Sequence, residues 1–177
     1  MIPKISDKCS KYFKFSDFFE CSDTFKMSSI SNIPKQLETY DAISYFSSEI
    51  LDKVKDEFKD VTLTYGFCGL ELSKAIKKNI YPKTDQHAGY EKNLENDFIC
   101  ERKGFAADFF VKNKSSLEVA KWIVLNCKFD RIYFYGNDRP IHVSINEILS
   151  KKIVLMKIYN IRRVPRNISV TKFLEMS

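Results

Sequence analysis

Two potential metal ligands stand inside segments that otherwise read as buried strand. Asp108 follows Gly104-Phe105-Ala106-Ala107 and runs into Phe109-Phe110-Val111, and His142 lies within Ile141-His142-Val143-Ser144-Ile145. An unpaired carboxylate in such a setting is costly, because burial strips its hydration and puts nothing in its place. A metal ion shared between the two residues would remove that cost. The chain has two histidines, His87 and His142, so the choice of nitrogen ligands is short. A catalytic zinc takes three protein ligands at about 2.0 to 2.3 Å and keeps a fourth position for water. His87, Asp108 and His142 supply such a set.

Rigid elements must carry these residues. Apolar residues at Ile43, Phe46, Ile50, Val54 and Phe58 repeat at three and four, predicting one amphipathic helix over Asp41 to Phe58. Val61-Thr62-Leu63-Thr64-Tyr65 alternates with β-branched residues and stops at Gly66, a strand running into a turn. A short helix is expected from Gly69 to Lys78, ended by Asn79 and Pro82. A polar loop from Tyr81 to Arg102 carries His87, and loops of that length inside compact domains are often functional. The next strand is Phe105 to Val111. Ser115 and Glu118 form a capping box ahead of a helix reaching about Cys127. Strands are expected over Arg131 to Tyr135, Pro140 to Asn146 and Ile153 to Tyr159, the first two joined as an antiparallel hairpin through Gly136-Asn137-Asp138. The first forty residues, with Tyr12, Phe13, Phe15, Phe18 and Phe19 close together, read as a short helix or loop packed on the core. Helices before and between the strands of an antiparallel sheet, packed on one side, make an α+β domain.

Composition bounds the function classes. At 177 residues and 44% hydrophobic content the chain buries a sizeable core, which excludes a disordered or fibrous protein. No apolar run is long enough to span a bilayer. Met1 to Lys8 lacks the apolar stretch of a secretory signal, so a cytoplasmic location is expected, with access to a cell wall only after release by other factors. Five cysteines without a CxxC pair read as reduced structural thiols. The net charge of +6 is spread along the chain and densest at Arg162, Arg163, Arg166 and Lys172, which read as a solvated basic tail able to touch phosphate, nucleic acid or an acidic wall polymer.

The order of segments resembles the zinc D,D-carboxypeptidase family, which also includes the vancomycin-resistance dipeptidase, phage endopeptidases and the hedgehog signalling domain. The likeness is to its short phage and bacterial branch. It rests on Phe13-Lys14-Phe15-Ser16-Asp17-Phe18, Ser31-Asn32-Ile33-Pro34, Leu63-Thr64-Tyr65-Gly66-Phe67-Cys68, Asp85-Gln86-His87, Gly104-Phe105-Ala106-Ala107-Asp108 and Ile141-His142-Val143-Ser144. By resemblance, His87, Asp108 and His142 hold the zinc, Thr64 and Cys68 lie where the family binds substrate, and residues 1–146 form the peptidase-like domain with 147–177 as an extension packed on or continuing it.

Departures fall on chemistry. His87 and Asp108 are 21 residues apart, farther than in the family, and Glu101 occupies the family's histidine position. His87 reaches the metal from a longer loop, or Glu101 replaces it, or the set is incomplete. Cys68 stands in place of an arginine that resembles a carboxylate clamp, a bidentate role no thiol can fill. The glutamate base is missing: Asp138 is the nearest carboxylate to His142, and Tyr135 can serve only as acid or oxyanion donor. The resemblance therefore implies a zinc-dependent hydrolase of peptidoglycan peptides or a related amide. The alternatives are an inactive module of the same fold that binds a nucleotide, nucleic acid or protein, and a structural component that merely carries the domain.

Overall fold

The computed structural model describes residues 2–76 and 82–177. Among the described residues, seven α-helices and six strands follow one another as α1 (Phe15–Phe19), α2 (Asp23–Lys26), α3 (Leu37–Phe46), α4 (Asp52–Phe58), β1 (Val61–Tyr65), α5 (Leu70–Ala75), β2 (Phe105–Val111), α6 (Ser116–Asn126), β3 (Arg131–Phe134), β4 (Ile141–Ile145), β5 (Lys152–Tyr159), β6 (Arg162–Ile168) and α7 (Val170–Leu174). The strands form one sheet in the order β1-β2-β4-β3-β5-β6. Strand alternation divides its residues between two faces. Phe105, Ala107, Phe109, Ile132, Ile141, Val143, Ile145, Ile153 and Leu155 point into the core with Ile43, Phe46, Ile50, Leu51, Val54, Val119, Ala120 and Ile123 of the helices. Asp108, His142 and Tyr133 point the other way. Core and chemistry therefore occupy opposite faces of the sheet.

The expected antiparallel sheet is corrected to a mixed one, because β5 runs parallel to β3 through Arg131↔Lys152 to Phe134↔Leu155. The physical reason is edge availability. β4 is already flanked by β2 and β3, so the chain leaving β4 must cross the start of β3 to reach an open edge. Asp130, just before β3 and 1% exposed, holds that crossing. Its carboxylate accepts from the backbone N–H and the hydroxyl of Ser150 and from Asn146 Nδ2, and its carbonyl accepts from Lys152 N at 2.9 Å.

Residues 162–168, expected to be a solvated tail, form β6, paired antiparallel with β5 from Ile153↔Ile168 to Tyr159↔Arg162. Their charge hid the strand, since an edge strand needs little burial and arginine blunts its exposed edge. Behind it α7 buries Phe173 against Phe134, ring centroids 5.8 Å apart. The helix expected over Asp41 to Phe58 begins earlier, at Leu37, and widens into a π-turn over Ser47–Leu51. There the Ser47 hydroxyl donates to the Ile43 carbonyl at 2.7 Å, an insertion into the helical ladder of the kind that alters its pitch. The helix expected over Gly69 to Lys78 is described as far as Ala75, and its expected end at Asn79 lies outside the described residues.

Candidate metal centre

β2 and β4 pair so that Asp108 and His142 are direct cross-strand neighbours, which brings their side chains together on the open face. His87 arrives from the loop above, on a 3-10 turn of Gln86–Ala88 capped by Asp85, whose Oδ1 accepts from His87 N at 3.1 Å. The loop is pinned at several points. Gln86 Nε2 donates to the Lys103 carbonyl at 2.9 Å, and Cys68 N donates to the His87 carbonyl at 3.0 Å. Glu91, 6% exposed, accepts from the backbone N–H groups of Lys35 and Gln36 and from the Thr39 hydroxyl, so one carboxylate ties the loop to the start of α3.

The turn beneath His87 is fastened to the N-terminal aromatic segment. Asn32, 2% exposed, donates to the carbonyls of Phe19 and Phe67 and accepts from Gly69 N, all at 2.8 to 2.9 Å. Gly66 lies so close to α1 that a Cβ there would sit 2.4 Å from the Phe18 carbonyl oxygen. No larger residue fits that approach. Gly104 plays the matching part at the start of β2, with φ +76° and the Ile145 carbonyl 2.1 Å from where a Cβ would stand.

Three atoms converge within this frame. His142 Nδ1 and Asp108 Oδ1 are 2.8 Å apart, His87 Nε2 and His142 Nδ1 3.2 Å, and His87 Nε2 and Asp108 Oδ1 3.3 Å. Ligands at about 2.0 Å in a tetrahedral shell are separated by about 3.3 Å, so this triangle has the size of one face of a zinc shell. The chemistry of the donors agrees. His87 Nδ1 donates to the Gly66 carbonyl at 2.8 Å, so in the neutral ring Nε2 is the nitrogen that carries the lone pair. That lone pair then faces a carboxylate oxygen, a juxtaposition that either a proton on Nε2 or a cation held between the two relieves. A divalent metal fits the geometry and the charge.

The electrostatics reflect the same crowding. Burial alone would lower the pKa of His87, but Asp85 and Asp108 outweigh it and hold it above the ordinary range. Burial alone would raise Asp108, but His142 and His87 hold its carboxyl well below the usual carboxylate range. The His87 side chain is 4% exposed and that of Asp108 25%, so the group opens to solvent on the Asp108 side.

Aromatic rings wall the centre. The Tyr65 ring meets His87 edge-on at 4.3 Å, and the Tyr133 ring meets His142 at 5.1 Å. The Tyr65 hydroxyl is buried and has no hydrogen-bond partner among the described residues, with Cys68 beside it but out of bonding geometry. Arg102 Nη1 donates to the Tyr133 hydroxyl and the Thr84 carbonyl, both at 3.1 Å. Sequence reasoning missed Tyr65, Asp85, Tyr133 and Arg102 as parts of the site. The polar alternation Arg131, Tyr133, Tyr135 was the available signal for Tyr133, since it puts those residues on the non-core face.

The other expected residues are not among the three converging donors. Tyr135 is half-buried, and burial together with Asp108 pushes its phenol up to about 12. Asp138 is exposed in the β3–β4 turn and makes no side-chain hydrogen bond or ion pair among the described residues. Thr64 donates to the Asp108 carbonyl at 3.1 Å, a bond that steadies the strand. Cys68 is 3% exposed, its thiol pushed up to about 12 by burial. Glu101 is exposed and outside the converging group, its backbone N–H bound to the Lys83 carbonyl. Comparison with family models, curated proteins and solved structures gives no significant match.

Proposed function

We propose that this protein is a zinc-dependent hydrolase of peptide or related amide bonds, with the D,D-peptidase and hedgehog type of fold and peptidoglycan peptides as its substrate class. The observation that carries the reading is the donor triangle of His87, Asp108 and His142, in which two histidine nitrogens and a carboxylate oxygen converge at the spacing of one face of a tetrahedral metal shell. The substrate class rests on the order of sequence motifs described above. Zinc in such a centre lowers the pKa of bound water and polarises a carbonyl. The chain's own residues bind, orient and donate. His87 and His142 are held by Gly66, Tyr65 and Tyr133, so the ligand geometry is set before any cation arrives. Tyr135 keeps its proton through neutral pH and serves as a donor toward a developing oxyanion.

A second reading has its own observation. Asp138, the one carboxylate expected to act as base, is exposed and unpartnered in its turn, which favours a module that keeps the metal and lacks hydrolysis. Metal analysis and muropeptide digestion separate the two. We expect about one zinc per chain, lost in His87→Ala, Asp108→Ala and His142→Ala and kept in Glu101→Ala. Zinc-loaded protein that shortens muropeptide stems is a hydrolase, and zinc-loaded protein that leaves every cross-bridge intact is the binding module. Wild-type protein without zinc defeats both.

A further inference from the structure

We infer that Arg163, from edge strand β6, is the residue that receives a carboxylate of the substrate beside the metal centre. The inference rests on the hydrolase reading above and extends it to the charge of the substrate. Register puts Arg163 on the correct face. Tyr133 pairs with His142 and with Val154, and along β5 the partners of Met156 and Ile158 are Pro165 and Arg163. By alternation Arg163 shares the open face with Asp108, His142 and Tyr133, whereas Arg162 and Arg166 belong to the other face, where the Arg166 guanidinium stacks on Tyr159.

The Arg163 side chain turns back across β5 toward the centre. Its guanidinium carbon lies 5.3 Å from the centroid of the Tyr135 ring, and Nη1 donates to the Tyr135 carbonyl at 3.3 Å. Tyr135 is two residues beyond Tyr133, so the charge stands roughly 7 Å along the strand from the row of metal ligands. With the strand spacing across to His142 and Asp108 added, the reach from guanidinium to centre is about three residues of an extended peptide. The other arginines of this face are engaged, Arg131 with Asp130 and Arg102 with Thr84 and Tyr133. Arg163 is exposed and has no carboxylate partner among the described residues. A guanidinium stacked on a ring and held by one N–H keeps a free fork of donors, which suits bidentate capture of a carboxylate at little further ordering cost. The substrate class is thus a peptide with a free carboxylate near the bond that faces the metal.

The test is an NMR titration of zinc-loaded protein with N-acetyl-D-alanyl-D-alanine and with its C-terminal amide. Wild-type protein is expected to bind the acid about tenfold more tightly than the amide. Arg163→Ala should erase that preference with zinc content unchanged, and Arg163→Lys should keep part of it, because an ammonium supplies the charge without the fork. Equal binding of acid and amide by zinc-loaded wild-type protein, binding of neither, or an acid preference that survives Arg163→Ala overturns the role of Arg163 and leaves the metal centre standing. Wild-type protein without zinc overturns the centre and this role together.

Discussion

His87 commits its Nδ1 proton to the Gly66 carbonyl, so whatever it binds at the centre is bound through Nε2. Protons and metal compete for that atom. Because Asp85 and Asp108 raise the His87 pKa above 6.5 against the effect of burial, the metal-free protein gains stability from protonated His87 at low pH. That gain is fully present below the unfolded value and is lost as pH rises through the higher folded value. Zinc requires the unprotonated nitrogen, so its stabilisation runs the opposite way. The rise in Tm on adding zinc should be small near about pH 5.5 and grow toward about pH 8.5, as measured by thermal denaturation with and without metal. A zinc-induced shift independent of pH would mean that His87 is not a ligand. At this scale the ligands were legible because they interrupt apolar strand patterns. Arg163 was not, since nothing local distinguishes it from Arg162 or Arg166.

Elements meet at the site through a few buried polar groups, and Glu91 shows what such a group contributes. It joins the His87 loop to the entry of α3, accepting from the backbone N–H groups of Lys35 and Gln36 just before the helix and from the Thr39 hydroxyl in its first turn. Glu91→Ala removes the acceptor of three donors, the buried Thr39 hydroxyl among them, and should cost about 1 to 3 kcal/mol by chemical denaturation. It should also weaken zinc binding, since the loop loses its anchor. Glu91→Gln, which retains an acceptor, should recover part of both. Asn32 and Asp130 work alike, one joining α1 to the turn after β1 and the other carrying the chain from β4 to β5. Asn32 was visible beforehand only as part of a motif. Glu91 and Asp130 gave no sign, because a buried carboxylate and a solvated one look the same in a sequence until the donors around them are known.

Across the whole molecule, the sheet separates stability from chemistry, one face packed on helices and the other bearing the three residues that could hold a metal. The last thirty-one residues belong to both functions. β5 buries Ile153, Val154 and Leu155, α7 inserts Phe173, and β6 brings Arg163 to the open face. Phe173→Ala should therefore destabilise the protein by about 3 to 4 kcal/mol in chemical denaturation, and zinc content of the folded fraction should be unchanged. An unchanged denaturation midpoint would mean that α7 is dispensable. Pro165 and the arginines of β6 keep this edge from pairing with another chain. The sequence by itself determined the strand around Asp108, the hairpin around His142, the capped helix after Ser115 and the short choice of ligands, because periodicity, turn residues and caps are local. Tertiary structure alone decided that His87 and not Glu101 joins them, that β5 runs parallel to β3, and that a basic tail is a strand. Each of these depends on which edge, face or donor is still free after the rest of the chain has folded.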